Sequence, residues 1–176
     1  MTDASRLRDP QAASDLLMYR LNKLIGVSGS LVIRLCEGGY GITRREWGLL
    51  IWLAQHPDLP PTELARRVGL DRARTSRAIT SLQAKKLLTR EALPGDKRQA
   101  RLRLTPEGMA VYEALFPQVK QLNQALLRGL PAQTVELLDQ ALGLLQANAD
   151  ALLAEHAHLP RTYHMRGGRS GGGAGG

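Results

Sequence analysis

Between Pro61 and Leu104 two helical patterns meet at a glycine and run straight into a hairpin pattern, and few folds accept that order in so short a stretch. Pro61 suits the first turn of a short helix whose buried residues are Leu64, Ala65 and Val68. Gly69 closes it, where only a residue tolerant of positive φ sits cheaply. Asp71 is placed to cap a second helix that runs to about Lys86. Thr75, Ala78, Ile79 and Leu82 share one face of that helix, at helical spacing. Arg72, Arg74, Ser76, Arg77, Thr80 and Ser81 take the other. Leu88 to Leu93 then reads as a strand, and Pro94-Gly95-Asp96-Lys97 as a turn. Ala100, Leu102 and Leu104 alternate with Arg101 and Arg103, which gives a second strand one apolar and one basic face.

The flanks are helical. Residues 12–36 read as one long helix with leucines at three- and four-residue steps, ended by Gly38, Gly39 and Gly41. Thr43 and Glu46 form a capping-box pair that opens the next helix, with Trp47, Leu50, Ile51 and Ala54 as its buried face. Thr105 and Pro106 start a further helix, which Pro117 is expected to kink or to mark with its weakest turn. A last helix covers about 132–155, with Leu138, Leu142, Leu145, Ala149 and Leu152 along one side. The expected architecture is mainly α with a small β-hairpin wing: a winged helix-turn-helix. Residues 1–11 are expected to be a flexible N-terminus, 12–158 the folded domain, and the Gly-rich 159–176 a disordered tail.

Charge placement narrows the function. Residues 60–104 hold twelve Lys and Arg against four Asp and Glu, which accounts for the whole net charge of +8. A localised basic block is the footprint of a phosphate-rich partner. A membrane surface would favour these charges on one long amphipathic helix, and here they are spread over several short elements. No apolar stretch reaches the ~18 to 20 residues that span a bilayer. Met1 to Pro10 has no apolar run and does not read as a signal peptide. The single cysteine, Cys36, fits a reducing cytoplasm.

In such a fold the glycine turn sets two helices at a large angle, so one braces while the next enters the major groove. Arg72, Arg74, Ser76, Arg77 and Thr80 are the candidates for base and backbone contacts there. In the wing, Arg98 is placed to enter the minor groove, with Asp96 orienting it and Lys97 beside it. Arg101 and Arg103 are expected to hold phosphates.

Residues from about 16 to 155 resemble the multiple antibiotic resistance regulator (MarR) family. Asp96-Lys97-Arg98, followed by Leu104-Thr105-Pro106-Glu107-Gly108, is similar to that family's wing and the start of its next helix. Leu64-Ala65, Leu70-Asp71 and Ser76-Arg77 are similar to its helix-turn-helix, and Thr43 and Trp47 to its second helix. The resemblance implies a homodimer in which residues 12–36 and 106–155 interleave with the partner's, while 43–104 forms the DNA-binding lobe. It implies a pseudo-palindromic operator on double-stranded DNA, a repressor's role, and release by a small aromatic carboxylate or phenolic effector.

Tyr19, Arg20, Lys23 and Trp47 are candidates for the effector pocket. The plainer reading makes Tyr19 and Trp47 core, and Arg20 and Lys23 solvated or at the dimer contact. Cys36 reads as a buried structural thiol, against a redox-sensing alternative. His56, His156, His158 and His164 lack carboxylates or cysteines at ligand spacing, so no metal is expected. No phosphate-binding loop, dinucleotide fingerprint or nucleophile motif occurs, so neither a cofactor nor an enzymatic activity is expected. A non-specific architectural DNA-binding protein is the alternative from the same basic block. Ser76, Thr80 and Ser81 among the arginines favour sequence reading over it.

Overall fold

A computed structural model describes residues 6–93 and 96–158, with the side chains of 92–99 outside the description. The chain divides into two compact units, Met1–Arg128 and Gly129–Gly176.

In the first unit the elements run α1 (Leu17–Arg34), α2 (Arg44–Gln55), α3 (Pro61–Val68), α4 (Arg72–Ala84), β1 (Leu88–Leu93), β2 (Asp96–Leu104) and α5 (Pro106–Leu126). The architecture is mainly helical with a two-stranded antiparallel hairpin, as expected. α1 starts later than the periodicity suggests. Asp15 accepts from the backbone N–H groups of Gln11 and Ala12, both at 3.2 Å, and closes a separate 3-10 turn at Ala13–Asp15. A short acid that bonds its own backbone competes with helix continuation. The other end runs past Cys36: a π-helical turn carries the chain through Leu35–Gly39. Gly41, at φ 60°, makes the actual break.

Local chemistry fixes the remaining boundaries. Thr43 and Glu46 cap α2 reciprocally. Gly69 takes φ 68° at the end of α3, and the Asp71 carboxylate accepts from Arg74 N at 2.7 Å to start α4. Thr105 caps α5 and also donates its hydroxyl to Lys86 O at 2.8 Å. α5 continues unbroken through Pro117.

The core of this unit gathers Leu49, Leu50 and Leu53 of α2, Leu64 of α3, Ile79 and Leu82 of α4, Leu88 and Leu102 of the hairpin and Leu115 of α5. Trp47 is buried and stacks on Tyr112 of α5, with ring centroids 5.8 Å apart. Of the expected buried face of α2, Trp47 and Leu50 are buried, while Ile51 and Ala54 are only half-buried and Leu49 and Leu53 take their place. The loop between α2 and α3 also joins the hairpin: Leu59 bridges Leu102, so β2 has a backbone partner on each side.

The second unit contains α6 (Ala132–Glu155), which exposes Leu137, Leu144, Leu152 and Leu153 and buries no residue. α1 likewise exposes Met18, Leu24, Ile25, Val27 and Leu31. No helix among the described residues is long and apolar enough to cross a membrane.

Candidate nucleic-acid interface

α4 presents the site because its two faces are chemically opposite. Thr75, Ala78, Ile79 and Leu82 are all buried and fix its rotation. The same rotation exposes Arg72, Ser76, Arg77 and Thr80, with Arg74 half-exposed. Arg74 Nε lies 3.2 Å from Asp71 Oδ2, and the Arg74 backbone N–H beside that carboxylate holds it below the usual carboxylate range. Ser81 departs from the expected pattern. It is half-buried, and its hydroxyl serves the Glu46 carboxylate.

A shallow cleft lies on each flank of α4. On the wing side, about 170 Å³ is lined by Thr62 of α3, Arg72 and Ser76 of α4 and Arg90 of β1, among others. On the α2 side, about 230 Å³ is lined by Thr43, Arg45, Glu46, Arg74, Arg77, Ala78 and Ser81.

Several cations of the basic block are already paired. Glu63 holds Arg66 at 2.7 Å and Arg67 at 2.8 Å, and these two guanidinium groups pull its carboxyl down to about 2. Lys85 pairs with Glu46 and Arg103 with Asp58, two acids that a count within 60–104 leaves out. Arg101 and Arg103, expected to hold phosphates, thus have an internal role. Arg103 grips the Asp58 carboxylate with contacts of 2.7 to 3.1 Å, and Arg101 Nη1 donates to Asp58 O at 3.0 Å. Together they tie the base of the wing to the α2–α3 loop, at the backbone bridge described above. Asp96, Lys97 and Arg98 belong to β2, and their side chains lie outside those described, as do residues 94 and 95 of the turn.

The four residues considered for an effector pocket do not converge. Tyr19, Arg20 and Lys23 are exposed on α1, and Trp47 is core. The apolar cavity of this unit, about 490 Å³, lies between α1 and α5 and is lined by Leu24, Val27, Val32, Val119 and Leu122 among others. Its one cation is Arg44, from the first turn of α2. Gly29 makes room for it: a Cβ there would stand 3.2 Å from Arg44 Nη1. Sequence reasoning missed Arg44, although the run of small residues Gly26, Ser28, Gly29 and Ser30 in the middle of α1 was the available signal.

Cys36 is fully buried, and burial together with Glu37 pushes its thiol up to about 11. Among the described residues, no group of His, Cys, Asp and Glu could hold a metal ion.

Residues 40–99, from the end of the π-helical turn into the hairpin, match the sequence model of the MarR family. That stretch, α2 into the hairpin, carries the sequence pattern of the MarR family. YdgJ of Bacillus subtilis (strain 168), an uncharacterised helix-turn-helix-type transcriptional regulator, is 26% identical over 141 residues, covering 78% of this chain and 82% of YdgJ. The PcaV transcriptional regulator of Streptomyces coelicolor, solved with its natural ligand, superposes with a TM-score of 0.64 at 26% identity, covering 81% of this chain and 94% of PcaV. BpsR of Bordetella bronchiseptica, whose DNA binding is regulated by 6-hydroxynicotinic acid, gives a TM-score of 0.69 at 21% identity, over 78% of this chain and 97% of BpsR.

Proposed function

We propose that this chain is a MarR-family homodimeric repressor that binds a pseudo-palindromic operator and is released from it by a small aromatic or anionic ligand. The observation that carries the reading is the exposed face of α4, where Arg72, Arg77, Ser76 and Thr80 combine charge with hydrogen-bonding variety. Charge alone binds any duplex, and hydroxyls and guanidinium forks aimed at base edges add selectivity. Arg74 completes the set from α4. Asp96, Lys97 and Arg98 complete it from the wing, where Arg101 adds the guanidinium donors that its bond to Asp58 O leaves over, with 43–104 as the DNA-binding lobe.

Exposed leucines on α1, and separately on α6, support the homodimer, because a monomer in water rarely leaves large apolar patches uncovered. A two-fold dimer reads two half-sites with centres about 34 to 36 Å apart, or a multiple of that. The cavity with Arg44 supports the effector: apolar walls with a single cation suit an aromatic carboxylate. PcaV with its ligand and BpsR with its regulation by 6-hydroxynicotinic acid support the same reading. Such a ligand releases DNA only by binding the DNA-incompetent arrangement more tightly. The protein works in the cytoplasm, by binding and not by catalysis.

The test is anisotropy on DNA from upstream of the protein's own gene and on random duplex, over a salt series, with a panel of small aromatic carboxylates. Selective binding that one compound abolishes is expected, and Arg44→Ala should make DNA binding insensitive to that compound. A specificity ratio near unity would replace the repressor with an architectural DNA-binding protein.

A further inference from the structure

The cleft between α2 and α4 gathers three guanidinium groups, and the acids nearest it, Asp71 and Glu46, are already engaged by Arg74 and Lys85. Arg45 comes from the first turn of α2, and Arg74 and Arg77 come from one face of α4, three residues apart. Arg45 and Arg77 have no ion-pair partner among the described residues, and Arg74 is pinned by Asp71. Glu46 also lines the cleft. Both its carboxylate oxygens are held by Lys85 Nζ at 2.9 Å, so its charge is already met from within. Three guanidinium groups around a space of about 230 Å³ repel one another unless an anion enters. Guanidinium is the side chain best matched to a phosphate's oxygens.

Position says which anion. Arg74 and Arg77 belong to the face that the proposed function sends into the major groove. A helix in that groove, about 12 Å wide, has a phosphate backbone on each side. Arg90 and Arg72 stand on the wing flank, and Arg45 stands on the opposite flank. We propose that Arg45, together with Arg77, seats a DNA backbone phosphodiester on the α2 side, so that α4 is held across the groove from both flanks. The proposal rests on the DNA-binding reading above and adds a residue outside the helix-turn-helix and the wing. Arg45 fixes the depth and tilt of α4 and reads no base.

The test uses the full-length protein with two duplexes: one recovered by selection from a random library, and one of random sequence. Arg45→Gln should weaken both by a similar factor and leave their ratio unchanged. It should also lower the slope of log affinity against log salt by about 0.9 for each chain, close to two for a dimer on both half-sites. Arg45→Lys should keep most of the slope, and Lys120→Gln on exposed α5 surface should change nothing. Melting temperature checks that Gln leaves the fold intact, and Arg45→Ala repeats the measurement with a different truncation. An unchanged slope in Arg45→Gln, with wild type binding normally, overturns the proposal. So does a loss confined to the selected duplex, which would make Arg45 a base reader. Inorganic phosphate at constant ionic strength is the third arm. If it stabilises wild type and not Arg45→Gln while the DNA slope stays the same, the cleft is a small-anion site instead. A wild type with no DNA affinity at all would sink the functional reading itself, a separate outcome.

Discussion

Lys85 Nζ stands 2.9 Å from both carboxylate oxygens of Glu46, and Glu46 is only 1% exposed. The pair joins the end of α4 to the first turn of α2, and Lys85 donates further to Gly41 O at 2.8 Å. The two partners stand unequally. Lys85 keeps a third of its side chain in water, so an orphaned ammonium can hydrate. An orphaned Glu46 carboxylate cannot. Removing one partner of a buried pair costs most where the charge left behind has no solvent. Lys85→Met should therefore cost about 3 kcal/mol, and Glu46→Gln, which keeps an acceptor for the α2 cap, about 1 to 2 kcal/mol. Urea unfolding of both variants checks the order. Equal losses would show that the pair is solvated in solution.

Acid should act through the same carboxylate. Burial works to raise the Glu46 pKa, but hydrogen bonds from Lys85, Ser81 and Thr43 outweigh it and hold the value below the ordinary 4.5. A carboxyl lowered in the fold stabilises fully above its unfolded value, and the contribution is lost as pH falls through the folded one. The stability gap between wild type and Glu46→Gln should thus be constant above about pH 5 and shrink below it. Urea midpoints across that range decide the matter. A gap that does not move would show that Glu46 keeps its charge through a different network.

The sequence was most legible where one residue's chemistry decides a boundary. Gly69, Asp71, Thr43 and Thr105 each act on their own backbone, and the structure places all four as caps or turns. The buried face of α4 was equally readable from its spacing. Partners far apart in sequence were not. A count of charge along residues 60–104 assigns Asp58 and Glu46 elsewhere, although they neutralise Arg103 and Lys85 across 45 and 39 positions. For the same reason Arg101 and Arg103 looked free for phosphate. Arg44 was missed because helical spacing does not say which way the first turn of α2 faces, whereas Gly29 packed beneath it does.

Gly108 explains part of the Leu-Thr-Pro-Glu-Gly sequence at the start of α5. A Cβ there would drive into the backbone carbonyl of Leu87, an oxygen that also accepts the Thr105 N–H at 3.2 Å. Backbone cannot swing aside as a side chain can. Gly108→Ala should cost roughly 1 to 3 kcal/mol through overpacking. Gly143 in α6 has nothing within 4 Å of its Cβ position, so Gly143→Ala should stabilise by roughly 0.5 to 1 kcal/mol. Thermal unfolding of the two variants gives the comparison, and a Gly108→Ala protein as stable as wild type would mean that α5 can shift away from Leu87.

Cys36 should be chemically quiet. Its side chain is fully buried, and burial with the neighbouring Glu37 pushes the thiol up to about 11, with Arg44 only partly opposing them. The thiolate is the reactive form, and near neutral pH almost none is present. A disulfide-exchange reagent should therefore react with the native protein orders of magnitude more slowly than with the protein in urea. Peroxide at concentrations that spare methionine should leave DNA binding unchanged, and Cys36→Ser should bind DNA as wild type does, at some cost in stability from a buried hydroxyl. Fast labelling of the native protein, together with peroxide-dependent release of DNA that Cys36→Ser abolishes, would instead make this thiol the sensor and displace the small-molecule effector.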